Sequence, residues 1–382
     1  MSYNREQQEI LDALTTTVRS FAHHELAPVA ALCDEKEVLP EGIFKKLGAL
    51  GILGTSIPEQ RGGSGLGALA VARVMEELSA VDPGVCLSVL AHSLLFAHNL
   101  AQNGSDAQCA EYLPAIISGE KIGGMAMTEP DFGSDAVGME TRAVCHGDHY
   151  TLNGAKMFIT NGPIGDLFLV YARTGEERQN LSTFIVERSF PGFSVSKKLS
   201  KMGMRASPTG ELLFVNCIVP SKNRVGNEGD CVKHMMRNLD IERIGLAAMS
   251  LGIARASLEH AKSYAMTRTQ FEKPIISFQS VSDKIAQMYI GYRAGKALID
   301  DVCALFDDGK RVNQDAAAAK IFTSEMATKS ALDAIQVLGG YGYIRDFPVE
   351  RLMRDAKLLE IGGGTSEILR GIIIKEFLRS AR

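Results

Sequence analysis

HYTLNGAKMFIT, residues 149–160, decides how this chain divides. Asn153-Gly154 sits between two short apolar-rich runs, a dipeptide and setting that predict a β-hairpin. LFLVYAR (167–173), STFIVER (182–188), FSVSKKL (193–199) and ELLFVNCIV (211–219) continue the pattern downstream. Gly175, Pro191-Gly192 and Pro208-Thr209-Gly210 punctuate them as turns. Such closely spaced runs predict antiparallel strands, folded as a β-sandwich or barrel.

Outward from this block the periodicity changes. Upstream, Ile10, Leu14, Val18 and Phe21 recur at helical spacing, and Ala27-Pro28 interrupts them. Further helices are predicted over Glu41–Leu50, Ala68–Ala80 and Val85–Leu100, with a Gly-rich loop at 57–68 and a break at Pro83-Gly84. Downstream, Met236–Thr267, Gln279–Phe306 and Asn313–Leu338 read as three long helices, followed by breaks at 339–342 and 362–364 and a last helix ending near Leu378. The expected fold is α+β and multidomain. It comprises an N-terminal all-α domain (1–122), a central antiparallel β-sandwich or barrel (123–230) and a C-terminal four-helix bundle (231–382).

The 382 residues are 46% hydrophobic and 23% charged, the composition of an ordinary globular protein. A net charge of −4 gives no electrostatic reason to expect nucleic acid as a partner. Seven cysteines without a C-x-x-C pair argue against a disulfide framework or structural zinc and for a reducing compartment. The eight histidines show no ligand spacing, so no metal is expected. The first residues show no secretory or transit pattern and no apolar run reads as long enough to span a bilayer; a cytoplasmic location is the expectation. No G-x-G-x-x-G follows a strand, which argues against a Rossmann fold.

Three segments carry chemistry. AMTEPDFGSD (126–135) offers the Thr128 and Ser134 hydroxyls, a flexible Gly133 and two carboxylates where helix gives way to sheet. Such a segment suits a polar-edged or anionic cofactor, and it also reads as a capped turn. QVLGGYGYIRDFPVERLMRDAK (336–357) breaks a helix at Gly339, Gly340 and Gly342, with Asp346, Arg351 and Asp355 placed for an ion-pair lattice. LDIERIGLAA (239–248) sets Glu242 and Arg243 at the start of an apolar helix. A carboxylate facing an apolar pocket has a raised pKa and serves as a base, whereas one at a helix start can simply favour the dipole.

Taken together these segments resemble the acyl-CoA dehydrogenase family. AMTEPDFGSD is similar to its first signature and the 336–355 stretch to its second. KMFITNG (156–162) resembles the strand along the flavin edge, RTQF (268–271) with Gln279 the segment reaching the flavin diphosphate, and IGGGTSEI (361–368) the loop over the active site. The resemblance runs in order over essentially the whole chain. It implies FAD held by Met127, Thr128, Ser134, Phe158, Thr160, Arg268, Phe271, Gln279, Gln336, Gly339, Gly340, Thr365 and Glu367, some across a subunit interface. A homo-oligomer, typically a tetramer built as a dimer of dimers, is therefore implied.

The implied reaction is α,β-desaturation of an acyl-CoA thioester, with electrons passed to an electron-transfer flavoprotein. A backbone N–H, here from Gly363, would stabilise the developing enolate. Ser134, Leu239, Arg243 and Gly363 would contact substrate. Many members carry the base in the loop as Y-E-G-T; here Gly362-Gly363-Gly364-Thr365 puts a glycine at the Glu position. Isovaleryl-type and long-chain members place it on the long helix before an Arg, as Glu242-Arg243 does. The resemblance thus implies Glu242 as base and a short or branched acyl chain. Phe132 and Phe158 depart from the small residue and the Trp found in many members. Medium- or long-chain substrates, a carrier-bound thioester, and a non-catalytic or DNA-binding relative are the rival readings; the short basic end KEFLRSAR and the negative charge count against DNA.

Overall fold

The computed structural model describes residues 5–380; Met1–Asn4 and the Ala381-Arg382 end of the basic stretch lie outside them. The first third forms α1 (Arg5–Phe21), α2 (Ala30–Lys36), α3 (Ile43–Ala49), α4 (Gly67–Ser79), α5 (Pro83–Leu90), α6 (Asn99–Asn103) and α7 (Asp106–Ile117). Local chemistry sets the starts. The Asp82 side chain accepts from the Val85 N–H with Pro83 in the first turn, and Ser105 and Gln108 form a reciprocal capping box at α7.

A π-helical segment, Ala91–His98, joins α5 to α6. The continuous helix Pro83–Asn103 is therefore long and apolar enough to cross a membrane, contrary to the sequence expectation. Its most apolar window is 89% buried inside the protein, which makes it a core helix.

The middle third forms β1 (Gly123–Ala126), β2 (Arg142–Cys145), β3 (His149–Thr160), β4 (Leu167–Arg173), β5 (Leu181–Glu187), β6 (Phe193–Lys198), β7 (Thr209–Pro220) and β8 (Arg224–Val225). The strand order is β6-β7-β3-β2-β4-β5-β8, with β1 beside β4. Most contacts are antiparallel as expected, but β4 pairs in parallel with both β1 and β2, so the sheet is mixed.

Residues 149–160 form one strand rather than a hairpin. Asn153-Gly154 is a bulge instead of a turn: the β3–β7 register shifts between Leu152 and Gly154. β7 pairs with β3 on both sides of the shift, and Asn153 exchanges bonds with Asn216 across it (2.8 and 3.2 Å). Gly154 is required there, because a Cβ would collide with Thr141.

The last third forms α8 (Cys231–Thr267), a short hairpin of β9 (Thr269–Gln270) and β10 (Lys273–Pro274), then α9 (Gln279–Asp307), α10 (Asn313–Leu338), α11 (Gly340–Tyr343), α12 (Val349–Leu359) and α13 (Ser366–Ser380). One apolar cluster runs from Leu47, Leu53 and Leu78 through Ile244 and Leu251 to Ile299 and Leu352. The N-terminal helices and the bundle thus share a core. The inner face of the sheet has its own, around Phe168, Phe184 and Phe214.

The ion-pair lattice expected of Asp346, Arg351 and Asp355 is centred elsewhere. Arg354 grips both oxygens of Asp34 (3.0 and 2.8 Å) and of Glu350. Arg351 donates to the Val81 carbonyl (3.1 Å), Asp355 accepts from the Met204 N–H, and Asp346 is exposed. These bonds tie all three parts of the chain together beneath the loop that follows α12.

Candidate active site

α8 is 37 residues long, and from Ile241 inward nearly every residue is buried. Glu242 is among them at 7% exposed, and its Oε2 has no hydrogen-bond partner. Burial pushes its pKa up to about 7, against the pull of Arg243 and Lys320. An unpaired carboxylate oxygen held in an apolar wall near neutral pKa is what a general base needs.

The wall opposite is the loop Ile361–Thr365. Gly363 has φ +66, and the place its Cβ would take lies 3.6 Å from Glu242 Oε1 and against Leu246 Cδ1. The Gly362 N–H is taken by the Leu358 carbonyl (2.8 Å) and that of Ser366 by Glu360 (3.1 Å). The Gly363 N–H has no acceptor among the described residues. The structure thus brings a loop residue with a free backbone donor beside the Glu242 carboxylate, from 121 positions away. Thr365 caps α13, accepting from the Ile368 N–H (3.3 Å).

Arg243 is also buried. It donates to Asp240 (3.2 Å) and Asn313 (2.7 Å), so it is held within the helix junction. Leu239 packs with Met127 in the apolar cluster that joins the start of α8 to the sheet. Met127 and Thr128 in turn run beside β3: the Met157 N–H donates to the Thr128 carbonyl (2.8 Å), and Lys156 Nζ to that of Met127 (3.0 Å). Lys156 is fully buried and pairs with Glu129 (2.8 Å), which also accepts the Thr141 and Glu140 N–H groups. Burial works to raise the Glu129 pKa, but Lys156 and those donors hold it below its ordinary value. The same burial pulls Lys156 down to about 8.

Phe158 is 65% exposed with φ +60, where β3 changes register between Lys156 and Ile159. A bulky residue in the left-handed region, facing outward, is a feature of ligand edges. Thr160 is half-buried at the strand end, and Ser134 is exposed.

The other expected cofactor residues assemble elsewhere. Arg268, Gly339 and Gly340 line a cleft of about 500 Å³ with Tyr264, Gln270 and Tyr341. Nothing stands within 4 Å of a Cβ on Gly339 or Gly340, and Arg268 has no carboxylate partner among the described residues. An unpaired guanidinium beside open glycine backbone fits a diphosphate-bearing cofactor such as FAD. Gln336, Gln279, Phe271 and Glu367 are exposed. Arg268 caps the end of the same helix, 26 residues beyond Glu242 and roughly 39 Å away at the α-helical rise. The Arg268 cleft is thus far from Glu242 within one chain.

Sequence reading missed Lys320, a fully buried lysine whose Nζ donates to the Gly364 carbonyl (2.8 Å). Its signal was a charge inside the apolar helical run AAAAKIF. It also missed Leu246, one turn after Glu242, which fills the space beside Gly363.

Models of the acyl-CoA dehydrogenase N-terminal, middle and C-terminal domains match residues 6–120, 124–217 and 229–378. The chain is 45% identical to mitochondrial isovaleryl-CoA dehydrogenase of Pongo abelii, over 95% of this chain and 88% of that one. It is similar in structure to butyryl-CoA dehydrogenase from Megasphaera elsdenii (TM-score 0.95, 37% identity, covering 99% of this chain and 100% of that one). A chain from the structure of the electron transferring flavoprotein of Acidaminococcus fermentans is similar to the same degree (TM-score 0.95, 37% identity, 99% of each chain).

Proposed function

The chain belongs to the acyl-CoA dehydrogenase family, an FAD-dependent oxidoreductase class, and we propose that it desaturates a short branched acyl-CoA of the isovaleryl type with Glu242 as the base. One observation carries this reading: the Glu242 carboxylate, near-neutral in pKa, faces Gly363 where other members keep a loop Glu.

The Glu242 carboxylate takes the α proton of the thioester. The free Gly363 N–H donates to the thioester carbonyl oxygen as negative charge gathers there. FAD, when bound, supplies the acceptor for the β hydride. Leu90 and Leu94 pack on α8 beside Gly245, one turn from Glu242: a Cβ on Gly245 would meet both. The space that a Gly363 side chain would take beside Glu242 is filled by Leu246 instead.

A homo-oligomer completes the cofactor site in this reading. Support comes from the distance of roughly 39 Å along the chain between Glu242 and the Arg268 cleft and from the apolar surface beside that cleft: Phe271 and Tyr343 are each 85% exposed, with Tyr341 and Ile344 nearby. The similarity to a chain from an electron transferring flavoprotein structure supports a flavoprotein as electron acceptor.

The test is anaerobic bleaching of the oxidised flavin band by a panel of acyl-CoA thioesters, with Glu242→Gln in parallel. Bleaching by isovaleryl-CoA that disappears in Glu242→Gln is expected. Bleaching by straight long chains alone would reject the substrate class, and bleaching that survives in Glu242→Gln would reject the base.

A further inference from the structure

The loop that faces the base is made of Gly362, Gly363 and Gly364, and the last two have φ +66 and +95. Three glycines in a row give the backbone its greatest freedom and no side chain with which to anchor itself. Yet the direction of one N–H, that of Gly363, has to be fixed for it to meet a carbonyl beside Glu242. A tether from outside the loop is required.

Lys320 on α10 provides one. It is completely buried, among Ala316, Ala317, Ala319 and Thr323, and its ammonium donates to the Gly364 carbonyl at 2.8 Å. The residue it holds follows the one whose Cβ position lies 3.6 Å from Glu242 Oε1. A lysine is rarely taken wholly out of water without a partner that needs its charge. We propose that Lys320 is a positioning residue for this reaction, pinning the Gly363 N–H through Gly364 and keeping the Glu242 carboxylate ionised. This rests on Glu242 being the base.

The charges around Glu242 are few. Arg243 stands next to it on α8 and pulls its pKa down more than Lys320 does, while donating through one nitrogen, Nη1, to both Asp240 and Asn313. Tyr171 on β4 faces it from the sheet, with its hydroxyl accepting from Asn99 and its pKa raised by burial. From the N-terminal helices Leu90 and Leu94 pack on the same stretch of α8, and from the loop only backbone and Leu246 come close. Lys320 is the positive group that reaches Glu242 from another helix, and burial draws its own pKa down to about 8 while Glu242 draws it back up. Removing that charge leaves the carboxylate with the same burial and less compensation, so its proton is held more tightly.

The experiment uses the FAD-loaded protein with Lys320→Met and Lys320→Gln, the second retaining a neutral polar end should the first not fold. The Glu242 carboxyl is titrated by infrared difference, as the band that Glu242→Gln abolishes. Bleaching by isovaleryl-CoA is followed against pH on the same samples. The expected result is a midpoint raised by about one unit in both measurements, with bleaching about tenfold slower on the acid side. An unmoved infrared midpoint would remove the electrostatic role, and bleaching at the parent rate at every pH would remove the positioning of the Gly363 N–H as well. Bleaching that persists in Glu242→Gln would instead remove the base itself, and this role with it.

Discussion

Glu242 and Gly363 meet across a helix and a loop, the carboxylate Oε1 lying 3.6 Å from the point where a Cβ on the glycine would stand. Gly363 also has φ +66, and Leu246 Cδ1 already fills the space a side chain would need. Gly363→Ala is therefore expected to lose about 1 kcal/mol from backbone strain alone, and more as Leu246 shifts. The N–H should turn away from the substrate. Calorimetry would show a lower melting temperature, and bleaching kinetics a fall in rate larger than any change in substrate affinity.

Glu242, the proposed base, carries a stability cost. Its folded pKa of about 7 lies above the ordinary carboxylate value of 4.5. The native state thus binds the proton more tightly than the unfolded chain does between those limits. This group's contribution is most favourable at low pH and declines as pH rises from about 4.5 to 7. Glu242→Gln removes the penalty, which is at most about 3 kcal/mol above pH 7. Melting curves should show the variant more stable than the parent at pH 8 and similar to it near pH 4. Equal curves at pH 8 would contradict the burial of an ionised carboxylate.

Lys156 and Glu129 are a buried pair under the segment that carries Met127 and Thr128. Lys156→Met strands Glu129 without its counter-charge, at a cost of about 3–5 kcal/mol. The Met127 carbonyl also loses its donor. Beyond the lower melting temperature, flavin should dissociate faster on gel filtration; unchanged retention would mean the pair serves the sheet alone.

Gly340 has no atom within 4 Å of its Cβ position and lines the cleft with Arg268. Gly340→Leu should fold normally yet fill that cleft. The expected outcome is protein with little flavin absorbance and a smaller oligomer by light scattering. Retention of full flavin would show that FAD does not enter this cleft.

Much of this was legible in the chain itself. Long periodic helices announce themselves through local spacing, as Asn313–Leu338 does with the same bounds in sequence and structure. The family resemblance points to Glu242 as base, because a glycine at 363 and a Glu before Arg243 explain each other. The Asn153-Gly154 turn was misread because a turn signal is local, whereas the pairing with β7 that turns it into a bulge comes from residues some sixty positions away. Arg351 was assigned the lattice that Arg354 holds, since spacing along α12 does not say which face meets Asp34. Sequence alone determined the order of helix, sheet and helix, and the residue types at the proposed base and its loop. Only the tertiary structure decided that Lys320 reaches Gly364 and that Glu242 Oε2 is left unpaired. Burial, charge and the aim of a single N–H depend on what packs from distant parts of the chain, and no local pattern encodes that.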